Sequence, residues 1–442
     1  MNRTERLFLI FVMTLALMVV AQMGPATVVH AQQQFTEWGW PLPYEKVSDK
    51  SVAYLKEKGW WPLKWAYQPP WMAEATIPWI IKKLDLAKKR GLELEILGLL
   101  AGPDINEGLA SGKFPIGNGG NFPVTSLLDK KVKVKSAGII WTPLDEHPIL
   151  VHLDSKITKP KDLEGKSVGL VVGSSAEFAF VGYAMAQGID LSKVAVKPMP
   201  IPDQATFPAG IDAVVPWAPT PTLMTKYRKN AKVFADTGPY QLYWGDVHVR
   251  TELIENCPDV VQALTDMAVE ALLWGRTRPK ESTDIVKQDP YLESYPWQLL
   301  YDENVTWMSR LKPTWIYPFA EIYAHEGARI AKWLHERDRL KQKLTEKDYL
   351  DYFAPGVQFM NNTFKKLGWA IPSSPPYFAA GMTTKKFMEG LSAGERDQTK
   401  LVQLRILQAR FNFPYRMKED QAWPEKGDLE KPWTYEGKTY QP

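Results

Sequence analysis

The chain has 442 residues, a formal net charge of +4, 18 tryptophans and one cysteine. That length exceeds one ordinary core and predicts two lobes or domains. A lone Cys257 excludes an intrachain disulfide framework, and so mild a charge argues neither for nor against nucleic acid.

Residues 1–31 predict a cleavable export signal. Arg3 and Arg6 supply the positive start, Leu7 to Ala21 is an uncharged apolar run, and Gly24 and Pro25 break it. Val29 and Ala31 then place small residues where a signal peptidase reads. The run is about 15 residues, short of the roughly 20 that cross a bilayer. An uncleaved N-terminal anchor is the alternative. With no cysteine near the cleavage point, a lipoprotein is disfavoured. Fold reasoning begins at Gln32, and no later stretch is apolar for long enough to span a membrane.

The elements follow in order. A short helix over Asp49–Lys58 precedes a strand at Leu63–Tyr67. Gln68–Pro70 breaks the strand, and a helix over Ala73–Arg90 stops at Gly91. Next come a strand at Leu92–Leu97, a helix at Asp104–Ala110, a strand at Phe114–Ile116 closed by a turn at Gly117–Gly120, a helix at Phe122–Asp129 and a strand at Val132–Trp141. This alternation predicts a parallel sheet covered by helices. A second α/β unit restarts at Ile149–Leu153. It continues through a strand at Ser167–Val172, a helix at Ala176–Ala186, and strands at Val194–Met199, Asp212–Val215 and Lys232–Phe234. Trp244–Arg250 reads as a further strand and Pro258–Trp274 as a long amphipathic helix, with Pro258 suited to its first turn. Beyond Thr277 the pattern is mainly helical, at Ser294–Leu300, Ile322–Lys343 and Asp397–Arg410. The aromatic-studded end, Arg416–Pro442, predicts an extended strap.

Candidate chemistry gathers where strands end. In a parallel sheet, ligands lie beyond the carboxyl ends, where helix starts offer free N–H groups. Gln68, Trp71 and Glu74 occupy the first such break. Asn118 and Asn121 sit in the glycine-rich run Gly117–Asn121, which lacks the spacing and the lysine of a phosphate-binding loop. Asn121 also suits a helix N-cap. Ser174 and Ser175 follow Gly173 at a helix start and suit a phosphate, sulfonate or carboxylate. Trp217 follows the strand Asp212–Val215. Arg250, in the return strand near His248, could pair with a substrate anion or serve a surface ion pair. Each of these also has a purely structural reading, as turn, cap or packing.

His325-Glu326 and His335-Glu336 open like zinc-protease motifs, but neither continues to a second histidine, so no metal is expected. Cys257 begins a helix, where its thiol could be activated, but no partner histidine is near in sequence, and an inert thiol is favoured.

The ordered pieces resemble the periplasmic substrate-binding proteins of nitrate/sulfonate/taurine-type ABC importers, a group that includes proteins similar to the thiamine-pyrimidine synthesis enzyme. The stretch from Leu63 to Ile96 resembles the opening strand, ligand loop, helix and second strand. Gly102–Gly120 resembles the small-residue loop segment of the first lobe. The most specific stretch runs from Ser155 to Val196, with the Asp-Leu-x-Gly-Lys turn at Asp162–Lys166, the Gly-Ser loop and the Gly-Ile-Asp turn. Gly210–Thr220 resembles the Trp-x-Pro segment. The resemblance covers about Leu63 to Trp274.

It implies an α/β, two-lobed type II periplasmic binding protein fold with a mainly helical C-terminal extension. The expected organisation is a signal at 1–31, an N-terminal extension at 32–62 and lobe one at 63–145. Lobe two follows at 146–240, then a return to lobe one at 241–300 and the extension at 301–442. The implied function is capture of a small anion in the cleft, with no cofactor, and delivery to an inner-membrane ABC permease by a soluble, monomeric periplasmic protein. Export argues against a nucleic-acid partner. Trp71, Trp141 and Trp217 suggest an aromatic or hydrophobic carboxylate. Two alternatives remain open: an exported enzyme on the same fold, lyase- or desulfinase-like, and an exported interaction protein.

Overall fold

The computed structural model describes residues 40, 42–100, 102–141, 147–235, 237, 243–305, 321–367, 433–435 and 438–440. The export signal, the expected helix at Asp397–Arg410 and most of the terminal strap lie outside the described residues.

Two five-stranded sheets organise the chain. The first contains β1 (Leu63–Tyr67), β2 (Leu94–Gly98), β3 (Ile116–Gly120), β4 (Val134–Trp141) and β10 (Gly245–Arg250). The second contains β5 (Ile149–His152), β6 (Ser167–Leu170), β7 (Ala195–Pro198), β8 (Ala213–Val214) and β9 (Ala231–Ala235). Their orders are β2-β1-β3-β10-β4 and β7-β6-β8-β5-β9. In each, the first three positions are mutually parallel, and the fourth strand runs antiparallel to both its neighbours. The chain therefore passes between sheets twice, after β4 and after β9, so that β10 returns to the first sheet while the second is the unbroken run β5 to β9. This is the type II periplasmic binding topology.

β1 shows why the strands are central. Leu63, Trp65 and Ala66 are fully buried, as expected of a parallel strand covered on both faces. Helices fill those faces: α1 (Asp49–Glu57), α2 (Met72–Lys83), α3 (Leu86–Lys89), α4 (Gly102–Ser111), α5 (Asn121–Asp129), α6 (Ser175–Ala186), α7 (Ile201–Thr206), α8 (Thr251–Asn256), α9 (Pro258–Thr277), α10 (Pro279–Val286) and α11 (Trp297–Val305). The expected single helix over Ala73–Arg90 is two, because Asp85 adopts φ 54° and breaks the run. Asp tolerates that left-handed backbone better than most residues.

The glycine run gives a second correction. Gly117–Gly120 is not a turn but the buried strand β3. A Cβ on Gly117 would come within 2.5 Å of Ile105 on α4, and one on Gly119 within 2.5 Å of His248 Nε2 on β10. Glycine is there for close approach, not for turning.

The third correction is a missed helix. Beyond α12 (Glu321–His335) lies α13 (Glu346–Lys366), opened by a capping box between Thr345 and Asp348. Its interior Pro355-Gly356 reads as a breaker. Pro355 has no N–H for the Asp351 carbonyl, and Lys135 Nζ on β4 donates to that oxygen instead, at 2.8 Å. Gly356 lets the helix lie against β4, where a Cβ would stand 3.0 Å from Gly138 N. Beneath the two helices Trp244 meets Tyr323, Tyr349 and Phe353 edge-on, with centroids 5.8–6.5 Å apart. Near the end, β11 (Trp433–Tyr435) and β12 (Lys438–Tyr440) pair as an antiparallel hairpin. No helix among the described residues is long and apolar enough to cross a membrane.

Candidate functional site

A cleft opens between the two sheets. Gln68, Trp71 and Gly120 line it from the first sheet's strand ends, and Pro123 from the start of α5. Val171, Gly173, Ser174, Ser175 and Trp217 line it from the second. His147 and Tyr243, from the segments that join the sheets, complete the wall.

Five of the nine residues expected from the sequence line this cleft: Gln68, Trp71, Ser174, Ser175 and Trp217. Trp71 is the N-cap of α2 and only 4% exposed. Its loop is held from behind by Glu74, fully buried, whose carboxylate accepts from Gln68 N at 2.6 Å. Glu74 therefore shapes the loop rather than facing the cavity.

Asn118 lies inside β3 and not in the lining. Its Oδ1 accepts from Trp65 Nε1 at 2.7 Å, and its Nδ2 reaches the Glu74 carbonyl at 3.5 Å. Pro78, four residues on, gives that carbonyl no helical N–H. Asn121 is the first residue of α5, after the N-cap Gly120, so it is not the cap expected of it. Its Oδ1 accepts from Ser175 Oγ at 2.7 Å, a direct hydrogen bond from one sheet's helix to the other's.

Arg250 is a clear displacement. Because β10 runs antiparallel, its last residue pairs with Val134 at the start of β4, the end of the sheet away from the cleft. The guanidinium donates to the Leu109 carbonyl at the C-terminus of α4, pairs with Glu252 at 3.1 Å and stacks over Trp60. It caps a helix end. Trp141, at the end of β4, has its side chain outside the described set.

Four rings make a continuous aromatic wall. Trp71 and Tyr243 are 5.5 Å apart, Tyr243 and His147 5.1 Å, and His147 and Trp217 6.4 Å. His147 and Tyr243 were not foreseen. Their only signal was an aromatic two residues before a buried strand, β5 and β10 respectively. Gly120 must be glycine because a Cβ would overlap the Tyr243 hydroxyl.

No lysine or arginine is among the lining residues. Three donors of the Gly173–Ser175 loop are engaged within the protein, Gly173 N to Glu177 at 2.7 Å, Ser174 Oγ to the Val171 carbonyl at 2.6 Å and Ser175 Oγ to Asn121, while the backbone N–H groups of Ser174 and Ser175 stand at the open helix start. By contrast the indole Nε1 of Trp217, 4% exposed, has no hydrogen-bond partner among the described residues. A buried donor left so costs about 1–3 kcal/mol until an acceptor arrives.

Cys257 does not take part. It is fully buried at the start of α9 against the Ser51 carbonyl, and burial pushes its thiol up. Among the described residues no three His, Cys, Asp or Glu side chains cluster as metal ligands do.

Residues 84–282 match the family model described as NMT1/THI5 like. A Bacillus subtilis (strain 168) protein named for binding aliphatic sulfonates is 30% identical over 205 residues, 46% of this chain and 61% of that relative. The match thus spans less than two thirds of the relative's length. Among solved structures, the periplasmic aliphatic sulphonate binding protein of Escherichia coli aligns with TM-score 0.56 at 18% identity, over 66% of this chain and 98% of that one. The periplasmic nitrate-binding protein of Synechocystis PCC 6803 aligns with TM-score 0.58 at 14% identity, over 71% and 91%. These structural likenesses establish the fold.

Proposed function

We propose, from the match of residues 84–282 to the NMT1/THI5-like family and from the cleft between two sheets of one topology, that this protein is the solute-binding component of an ABC importer. It captures a small organic anion, a carboxylate or sulfonate carrying a flat ring, and hands it to a membrane permease. We propose the periplasm as its place of work, on the strength of the apolar, cleavable pattern of residues 1–31. The lobes are residues 63–145 with 241–300, and 146–240.

One observation carries the reading: side chains from both sheets meet around one cavity walled by four rings, where Trp217 Nε1 has no hydrogen-bond partner among the described residues. The rings offer apolar area to a planar ligand, and the indole offers a neutral hydrogen bond to its oxyanion. Binding closes such a cleft by hinge motion of the lobes. The enzyme alternative finds no support in Cys257, which lies behind the core of the first lobe with its thiol pushed up by burial.

The test is thermal unfolding of the whole protein against benzoate, benzenesulfonate, taurine and nitrate. A specific ligand at a hundred times its Kd stabilises by about 2.7 kcal/mol. The ring-bearing acids are expected to raise the Tm above the others. Trp217→Ala is expected to weaken the best of them by on the order of tenfold to a hundredfold, the loss of one hydrogen bond and one stacking face. No shift with any of the four sinks the reading, and an unchanged affinity in Trp217→Ala removes that residue from the site.

A further inference from the structure

α13 is fixed to the first lobe. Tyr352 is bonded into β10 through Asp246 and His248, Gly356 lies against β4, and the Tyr349 hydroxyl is 2.7 Å from Thr125 Oγ1 on α5. The turn leading into it is fixed there too, because Lys341 N and Gln342 N donate to Asp129 Oδ1 at the end of α5, at 2.8 and 2.7 Å.

The preceding segment reaches the other lobe. Trp333, on the last turn of α12, meets the Phe178 ring of α6 edge-on at 5.7 Å, and its Nε1 donates to Met185 Sδ at 2.9 Å. Arg339 then makes a two-pronged pair with Glu177 on the first turn of α6, at 2.6 and 3.0 Å. The same guanidinium lies 5.8 Å over the ring of Phe122 on α5 of the first lobe. One side chain thus sits at the junction of both lobes.

Glu177 links this contact to the cleft. Its Oε2 also accepts from Gly173 N at 2.7 Å, and Gly173 lines the cavity. Without Arg339 that carboxylate would stand as uncompensated negative charge beside a loop meant to meet an anion.

We propose that Trp333 to Arg339 form a clasp that holds the two lobes together over the cleft. In it Arg339 is a positioning residue that acts through Glu177 on the Gly173 loop. The clasp's use in ligand capture rests on the binding reading above, but its existence is testable with no ligand present. The two-pronged geometry suits Arg and not Lys.

The experiment is the inter-lobe distance distribution of the full, ligand-free protein, read by pulsed electron resonance between spin labels at Leu100→Cys and Lys197→Cys. Both positions are exposed, one on each lobe, and the native Cys257 is fully buried. In Arg339→Gln and in Glu177→Gln the distribution is expected to gain separations longer by more than about 2 Å, the scale of a domain rearrangement. The double variant should shift no further than either single one, since both remove the same contact. Arg339→Lys, which keeps the charge and loses the fork, should shift part of the way and guards against misfolding in the other variants. Unchanged distributions in the folded variants overturn the proposal. So does a shift in Arg339→Gln with none in Glu177→Gln. A protein that binds none of the four acids and yet opens in these variants would refute the binding reading and leave the clasp standing.

Discussion

Replacing Tyr352 with phenylalanine removes one oxygen from a wholly buried network and leaves the ring in place. The hydroxyl donates to Asp246 Oδ2 at 2.7 Å and lies 2.6 Å from His248 Nδ1, and all three residues are fully buried. With its one proton given to the carboxylate, the oxygen can only accept from Nδ1–H, so the imidazole carries a proton there. His248 Nε2 faces Gly119, where only glycine leaves room. Burial, then the neighbouring Asp246 charge, holds the phenol well above its usual range. The phenylalanine ring would keep its contact with Phe353, centroids 5.1 Å apart, so no cavity term enters. What is lost is a hydrogen bond to a buried carboxylate, about 1.5–3 kcal/mol, and the Nδ1–H loses its acceptor oxygen on Tyr352. Urea unfolding of the whole protein, followed by tryptophan fluorescence, should show a lower midpoint at unchanged slope. With a slope of about 1–3 kcal/mol per molar, the midpoint falls by roughly 1 M. A loss below about 0.5 kcal/mol would refute the reasoning, because the buried oxygen would then be dispensable and α13 would be held by packing alone.

Arg90 and Glu270 form a buried ion pair at 2.9 Å, with Tyr44 donating to the other carboxylate oxygen at 2.8 Å, and Arg90→Ala should cost about 3–5 kcal/mol in the same assay; a loss under about 1 kcal/mol would mean that water reaches the site. Burial, and after it the hydrogen bond to Glu270, pushes Tyr44 from 10.0 up to about 12. Its contribution is therefore full below pH 10 and lost as the pH rises through about 12, and a denaturation series that stayed flat across that window would contradict the assignment. Cys257, its thiol pushed up by burial, should resist iodoacetamide in the native protein and react on unfolding, as mass spectrometry would report.

The strands were legible because burial on both faces leaves continuous apolar runs, and β1 coincides with its sequence-based range. The misreadings share one cause. Gly117–Gly120 and Pro355-Gly356 carry residues that locally mean turn or break, and tertiary contact gives them another use. The glycines admit Ile105 and His248, and Pro355 frees a carbonyl for Lys135. Pro78 does the same for Asn118 across the first lobe. The site divides likewise. Gln68, Trp71, Ser174, Ser175 and Trp217 follow strands whose carboxyl ends face the cleft, so position along the chain was enough. Arg250 also closes a strand, but β10 runs the other way, and strand direction is not written in local sequence. His147 and Tyr243 sit on the crossings between sheets, whose meeting is a property of the whole fold.

On the binding reading proposed above, an anion in the cleft would be held by neutral donors, because no lysine or arginine is among the lining residues. Glu74 and Glu177, the two carboxylates behind the loops, each accept a backbone N–H of the loop they brace, Gln68 and Gly173 respectively. Those bonds fix loop shape, yet they use donors that an incoming oxyanion would otherwise take. A lysine in the lining would meet the anion directly, but it would be drawn to the same carboxylates. The chain instead keeps its cation outside the lining: Arg339 engages Glu177 from the C-terminal segment. The cavity offers aromatic faces, the indole N–H of Trp217 and the backbone N–H groups at the Ser174–Ser175 helix start, a set that rewards apolar area and well-placed acceptors more than charge alone. On this logic the long C-terminal segment and the aromatic cleft are one arrangement, because the first neutralises a carboxylate that would otherwise oppose the ligand of the second.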